Sequence, residues 1–334
     1  MGYLFIFLQY FLQILGYSCI YMALAFIVLY IFKIRDSQVR IFVFLLVLIK
    51  PLFILTRLID FNSVNLYSRL PFFALVNKLF EKIVNIQNIQ NVDFVLINIL
   101  LFGTYMLSFL LITIFRHYQI YFVFYKLNKA GAIVEIQNGL IKDTINYHSK
   151  RLGLKPPKIY YSSDLKNGFY TFGIIGKKII INKVIMDFLN EDEKEFILLH
   201  ELAHIKRNDN ILNAVVTYLA DMHFYNPFSY IAYMVIKTEQ EKDCDKLIMK
   251  YANKSGKEVA VNILSSILKI KKNLSYFPDY CPKLASSFSI GKAMSEASLH
   301  KRIKYLISTD PAKISVNTYT KILIYGFFLI LLFF

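Results

Sequence analysis

Apolar and polar positions separate along this chain on the scale of whole segments. Residues 1–32 carry no charged side chain, and Phe94–Phe115 is a second uncharged run of 22. A helix needs about 20 apolar residues to cross the hydrocarbon core, so the pattern predicts spans at about 3–32 and 94–115. Residues 41–59 form a third apolar stretch, interrupted by Lys50, Pro51 and Arg57. A fourth starts near Lys321 and reads ILIYGFFLILLFF to the last residue. Alone it makes about 20 Å of helix, so it spans only if polar residues before Lys321 join it. Ala23-Leu24-Ala25 resembles a signal-peptide cleavage site, but no basic region precedes it and the apolar run continues to Phe32. A retained anchor is expected.

The polar stretches carry shorter periods. Within 59–93, LPFFALVNKLFEKIVNIQ has helical spacing with Lys78, Glu81 and Lys82 on one side, as in a helix lying on a membrane surface. RHYQIYFVFYKLNK extends the third span as an amphipathic helix. Residues 138–152 read as a helix, KPPKIYYSS as a strand, and GFYTFGIIGKKIIINKVI as a hairpin with Gly-containing turns. Asn190 and Glu193 have capping-box spacing, Glu191 and Asp192 suit a helix start, and Lys206 and Arg207 suit its end. A helix over about 191–209 follows, then a helix-like SYIAYMVIKTEQEKDCDKLIMKYA.

Composition supports the membrane reading: 56% of the 334 residues are hydrophobic. Charge adds an orientation. Residues 126–318 hold 29 Lys/Arg against 19 Asp/Glu, a net of +10. By the positive-inside bias this region is cytoplasmic, with the N-terminus and the 60–93 loop outside. The excess suits anionic membrane lipids. No nucleic-acid module or tight basic cluster accompanies it, so direct nucleic-acid binding is not expected. Cys19, Cys244 and Cys281 make no disulfide framework. The division is 1–125 as membrane region, 126–318 as cytoplasmic domain and 319–334 as a fourth span. Lys50, at mid-membrane beside Pro51, is either a group coupling span movement to that domain or a cation facing a wet cavity of the bundle.

The chemistry sits in EFILLHELAHIKRND, residues 195–209. Histidine is scarce, six in 334, yet His200 and His204 are one turn apart with Glu201 beside them. This is H-E-x-x-H: two imidazoles on one helix face to bind Zn²⁺, and a glutamate to take a proton from a water held there. A catalytic zinc needs a third protein ligand. Glu241 and Asp245 share one face of the next helix, as do Glu239 and Asp243 in a competing register. In the first register Glu241 would ligate and Asp245 would accept a hydrogen bond from the outer nitrogen of a ligand histidine.

HELAHIKRND, then FYNPFSYIA, then EQEKDCDKLIM resembles the BlaR/MecR type of membrane zinc metallopeptidase, the penicillin sensor-transducers. The segments TFGIIGKKIIINKVI and LASSFSIGKAMSEASLHKRIKYLI are similar to that family's pattern too. The resemblance implies a multi-pass α-helical membrane protein with a cytoplasmic α+β zincin-like (gluzincin) metallopeptidase domain, in a bacterial cytoplasmic membrane. It implies His200, His204 and Glu241 as zinc ligands and Glu201 as catalytic base, and favours Glu241 over Glu239. It implies a cytoplasmic protein substrate, such as a transcriptional repressor, and self-cleavage in the loop Phe277–Ser298, with Ser287-Phe288 the candidate bond. The family's extracellular sensor domain would follow a fourth span, and this chain stops at Phe334, so β-lactam sensing itself is not carried over. Ser289-Ile290-Gly291-Lys292 matches S-x-x-K without companion motifs and reads as coincidence. A sensor partner or a homo-oligomer would then supply the signal.

His223 and Arg302 are the candidates for stabilising the transition state, and the strand around Lys178–Ile181 is the candidate to align an extended substrate. Two alternatives stand beside this reading. One is a quality-control or prenyl-protein protease of the HtpX or CAAX type, disfavoured by the short interval to Glu241. The other is a non-catalytic membrane receptor or scaffold with a structural zinc, disfavoured by Glu201, which such a site does not need.

Overall fold

A computed structural model describes residues 3–57, 94–129, 133–162, 169–173, 176–274, 296–308 and 317–333. The amphipathic segment expected within 59–93 lies outside the described residues. In chain order the elements are α1 (Tyr3–Ile31), α2 (Ser37–Arg57), α3 (Phe94–Lys129), β1 (Ile133–Glu135), α4 (Leu140–Leu152), β2 (Lys158–Ser162), β3 (Phe169–Phe172), β4 (Lys178–Asn182) and α5 (Lys183–Phe188). There follow α6 (Glu191–Arg207), α7 (Asp209–Met222), α8 (Pro227–Ala252), α9 (Gly256–Leu274), α10 (Glu296–Ser308) and α11 (Thr318–Phe333).

Among the described residues two helical segments, Phe11–Ile31 and Leu100–Tyr118, are long and apolar enough to cross a membrane. The second turns Leu100, Leu107, Leu110, Leu111 and Ile114 outward, the surface a lipid-facing helix presents. α11 recruits Thr318–Thr320 ahead of Lys321, and its 16 residues make about 24 Å of helix, less than the ~30 Å hydrocarbon core. Both ends of α11 are pinned. Lys321 meets Asp36 at 2.8 Å, and Lys50 Nζ donates to the carbonyls of Leu331 and Leu332 at 3.0 Å each. A buried cation on the last carbonyls of a helix complements its dipole. Lys50 thus caps a neighbouring helix, with Tyr17 and Tyr21 rings 5.9 Å from its ammonium.

The four strands form one mixed sheet in the order β1-β2-β4-β3. β3 and β4 are the antiparallel hairpin that the sequence predicts. β4 also pairs in parallel with β2, and β1 pairs antiparallel with β2. Ile179, Ile180 and Ile181 are all buried, the unbroken apolar run of a central strand. This corrects the expectation that Lys178–Ile181 aligns a substrate, because β4 is paired on both sides. β3 is the edge strand on that side.

Two apolar cores meet along one helix. The first gathers Ile145, Ile159, Phe169, Ile179, Leu198, Leu202, Ile248 and Ile263 from the sheet and its helices. The second joins Tyr21, Ala25, Phe44, Leu48 and Phe328 of the long apolar helices to Val216 and Leu219 of α7 and to Ala232 and Ile236 of α8. α8 therefore belongs to the bundle at one end and to the sheet domain at the other. Polar bonds fix the joint. Asn226 donates to Ser18 at 2.8 Å, Tyr105 to the Met222 carbonyl at 2.8 Å, and Glu239 accepts from Ser37 at 3.0 Å and Arg40 at 2.9 Å.

Candidate metal centre

α6 starts and stops where its sequence dictates. The Asn190 side chain accepts from the Glu193 N–H at 2.8 Å, and Glu193 Oε2 accepts from the Asn190 N–H at 2.9 Å, a complete capping box. Asn208, at φ 56°, closes the helix in the left-handed region, a conformation asparagine tolerates better than most residues. That turn sends the chain back so that Asp209, at the start of α7, faces the helix it has just left.

His200 and His204 project from α6 towards Glu241 of α8. The His200 and His204 Nε2 atoms are 3.2 Å apart. Glu241 Oε2 lies 3.3 Å from His200 Nε2, and its Oε1 3.6 Å from His204 Nε2. Ligands held tetrahedrally at about 2.05 Å from a zinc ion stand about 3.3 Å from one another. The two imidazoles stand at about that edge length and each faces a different oxygen of Glu241. Two imidazoles with a carboxylate are a donor set zinc accepts, and their ligand atoms lie within 4.8 Å of one another, so the residues fit the ion. Glu239, the competing register, points away to Ser37 and Arg40.

Glu201 is buried beside this group, and its Oε2 accepts a hydrogen bond from the Thr171 hydroxyl on edge strand β3. Sequence reasoning missed Thr171. It is one of several β-branched residues in a strand, and only the hairpin's register aims it at α6.

The supporting carboxylates are arranged differently from the expectation. Asp245 lies 3.7 Å from His200 Nδ1, beyond hydrogen-bonding distance, and is fully buried as the bidentate partner of Arg302 at 2.9 and 2.6 Å. The carboxylate that holds a histidine of the motif is Asp209, whose Oδ2 accepts from His204 Nδ1 at 2.8 Å. Asp209 in turn accepts from Arg207 at 3.2 Å and from Gln240 at 3.3 Å. The signal for it was the Asn-Asp pair directly after the helix.

Arg302 comes from α10, and its second terminal nitrogen lies 3.1 Å from Glu241 Oε2. Its fork is committed to Glu241 and Asp245, so it orients the Glu241 carboxylate. His223 is not brought to the group. Its Nδ1 faces the Leu219 carbonyl at 2.8 Å and its ring lies near Tyr225, because α7 carries it to the far end of the α7–α8 hairpin. Ser287 and Phe288 lie outside the described residues.

Electrostatics favour a charged Glu241. Burial works against ionisation, but the His200 bond and the Arg302, His204 and His200 charges hold its carboxyl far below the ordinary range. Asp209 is lowered too, its burial outweighed by His204 and Arg207. Burial pushes the Cys244 thiol up to about 11, so it is neutral at pH 7. His204, Asp209 and Cys244 form a second close cluster, which with a neutral thiol reads as the hydrogen-bonded backing of His204.

A buried H-E-x-x-H helix facing a glutamate from a later helix defines a metallopeptidase, and the sequence comparisons agree. The model of the family described as BlaR1 peptidase M56 matches residues 17–285, and the chain belongs to that family. The "Methicillin resistance mecR1 protein" of Staphylococcus aureus is 24% identical over 221 residues, 66% of this chain and 35% of that protein. The "Regulatory protein BlaR1" of Bacillus licheniformis is 34% identical over 113 residues, 34% of this chain and 18% of that one. A "Protease HtpX homolog" of Picrophilus torridus is 31% identical over 109 residues, 32% of this chain and 35% of that one. The chain thus spans about a third of the length of the mecR1 protein it matches. The crystal structure of Ste24p from S. mikatae superposes with a TM-score of 0.35 at 16% identity, over 70% of this chain and 63% of that one, a likeness too slight to place any residue.

Proposed function

We propose that this membrane metallopeptidase is a zinc endopeptidase that cuts a cytoplasmic protein in a signalling relay. The observation that carries the reading is the meeting of His200, His204 and Glu241 with their ligand atoms within 4.8 Å of one another, and Glu201 beside them against an edge strand. Zinc, when bound, supplies a Lewis-acid centre that acidifies a water and polarises a carbonyl. His200, His204 and Glu241 hold it. Asp209 fixes the His204 ring with Nε2 turned inward, and Arg302 steadies Glu241. Thr171 occupies Glu201 Oε2, which leaves Oε1 to take the proton from the attacking water and return it to the leaving amine. The outer edge of β3 offers backbone groups to pair with an extended substrate.

The placement that goes with this reading has four spans (α1, α2, α3 and α11), the N-terminus outside and residues 126–318 on the cytoplasmic side. It is supported by the two long apolar segments and by the basic excess of 126–318. The substrate class is a cytoplasmic regulatory protein, such as a transcriptional repressor, or the chain itself at Ser287-Phe288. Relatives named for regulation and resistance support it, and a sensor partner or a second copy would deliver the stimulus. The likeness to HtpX homologues supports a second reading, a membrane quality-control protease with the same chemistry.

The test sets the purified full chain in detergent beside Glu201→Gln. Zinc is counted by elemental analysis, and fragments of the chain and of added candidate repressors are mapped by intact-mass spectrometry. One zinc in each, with cleavage only by the unsubstituted chain, is expected. Cleavage that survives in Glu201→Gln removes Glu201 from the mechanism.

A further inference from the structure

Six of the 29 Lys/Arg of residues 126–318 line one cavity on the side of α8 away from the metal centre. Glu241 and Asp245 face one side of α8. Asp243, Lys246 and Lys250 lie roughly 120–180° round the helix from them, and Lys254 follows just past its left-handed cap at Asn253. They line a cavity of about 1120 Å³ together with Gln38 of α2, Lys206 and Arg207 of α6, and Lys257 of α9. Asp243 is the one acidic residue in that lining, and Arg207 pairs with it. Lys206, Lys246 and Lys257 have no ion pair among the described residues, and Lys250 stands 5.8 Å from the Tyr251 ring. Lys254 reaches only the exposed Asp192, at 3.7 Å. Lys206, Lys250 and Lys257 are exposed and Lys246 half-buried at one cavity, so its mouth carries a net positive potential that attracts anions.

The cavity wall is built to keep its shape. Gly256 opens α9 against the end of α10, where a Cβ would stand 2.2 Å from the Leu306 carbonyl oxygen. Only glycine permits that backbone-to-backbone joint. The half-exposed Ile307, with Leu247, gives the cavity an apolar side. One end opens at Gln38, beside Ser37 and Arg40, which hold Glu239 of α8. From that level α8 runs seven residues to Lys246, about 10 Å, a distance comparable with the physiological screening length. The lysines therefore begin where α2 enters the bilayer and turn their backs on the metal centre. That placement favours a lipid over an acidic stretch of substrate, which would need to continue into the catalytic face.

We propose that this cavity holds the phosphate headgroup of an anionic phospholipid from the leaflet that α2 enters, with the lipid's apolar part against Ile307 and Leu247. The proposal rests on the placement of α2 as a span given above, and is independent of the peptidase chemistry.

The test uses the full chain in a zwitterionic detergent, titrated with short-chain phosphatidylglycerol or phosphatidylcholine and read by native mass spectrometry. One retained phosphatidylglycerol and no retained phosphatidylcholine is expected. Lys246→Glu/Lys250→Glu should weaken it about 30-fold, from about 1 kcal/mol per lysine near a charged surface. Lys150→Glu, on the remote helix α4, should leave it unchanged. Equal retention of both lipids, or unchanged affinity in the double variant, overturns the site. Displacement by inorganic phosphate at equal concentration shows a soluble-anion site instead, and a polyglutamate peptide bound where phosphatidylglycerol is not shows an acidic protein segment. Impermeant-maleimide labelling of Gln38→Cys, in a chain whose Cys19, Cys244 and Cys281 are replaced by serine, separates the premises in oriented vesicles. Labelling from the outer side overturns the placement of α2, whereas inner labelling without lipid selectivity overturns the headgroup site alone.

Discussion

Asp209→Ala would strip His204 of the group that sets its ring. The bond from His204 Nδ1 is 2.8 Å long and its acceptor is 1% exposed, so water does not replace it. A buried, charge-assisted hydrogen bond is worth about 1.5–3 kcal/mol, which at about 1.4 kcal/mol per decade is roughly a 10- to 150-fold loss of zinc affinity. Losses of about 10- to 100-fold are usual when the carboxylate behind a ligand histidine is removed. Arg207 loses one carboxylate in the variant but keeps Asp243, so the fold should survive. Asp209→Asn retains an acceptor and belongs at the low end of the range. The assay is competition with a chromophoric zinc chelator in the Glu201→Gln background, which keeps self-cleavage out of the measurement, with a thermal melt to confirm folding. A folded Asp209→Ala chain that binds zinc within about twofold of its parent would refute the role given to Asp209.

Other outcomes follow from the same contacts. Arg302→Ala leaves the buried Asp245 without its partner and should cost about 3–5 kcal/mol of stability, read as a lowered melting temperature, while Arg302→Lys keeps the charge and should fall between. Burial raises the Glu193 pKa, but bonds from Lys269, Ser265 and the Asn190 N–H lower it more, so its net shift is downward. A depressed carboxylate stabilises the fold above its unfolded pKa of about 4.3 and loses that contribution as pH falls through its folded value. The deficit in melting temperature of Glu193→Gln should therefore be largest at neutral pH and shrink in acid; a deficit that grows in acid would reverse the sign. Cys244, buried and with its thiol pushed up to about 11, should resist iodoacetamide at pH 8 until the chain is denatured, as peptide mapping of the alkylated protein would show.

What the sequence made legible was local. The α6 helix carries its own cap at Asn190 and its own motif, and the β3–β4 hairpin is signalled by β-rich runs and glycine turns, so both are found where expected. β1 spans three residues, too short for any period to register. The choice between Glu241 and Glu239 is invisible in the helix itself, since each has a carboxylate four residues on. In space it is decided by Ser37 and Arg40, which claim Glu239 from about 200 positions away. Asp209 depends on the left-handed turn at Asn208, and the role of Lys50 depends on carbonyls 281 and 282 positions later. Long-range partners of this kind leave no periodic trace.

The attachment of α10 and α11 has a consequence for the chain as a polymer. Arg302 ties α10 to Glu241 and Asp245, while Lys321, Lys50 and Tyr21 tie α11 to Asp36 and the apolar bundle. Scission at any bond in 275–295 would sever the covalent path between these two helices and the rest without touching those anchors. Two independent attachment points on one fragment give it a high effective concentration at its own site. The nicked molecule should then persist as a two-piece complex, and the pieces made as separate polypeptides should assemble, in the manner of a split protein. A cut there would free the ends of α9 and α10 from one another while leaving the molecule in one place.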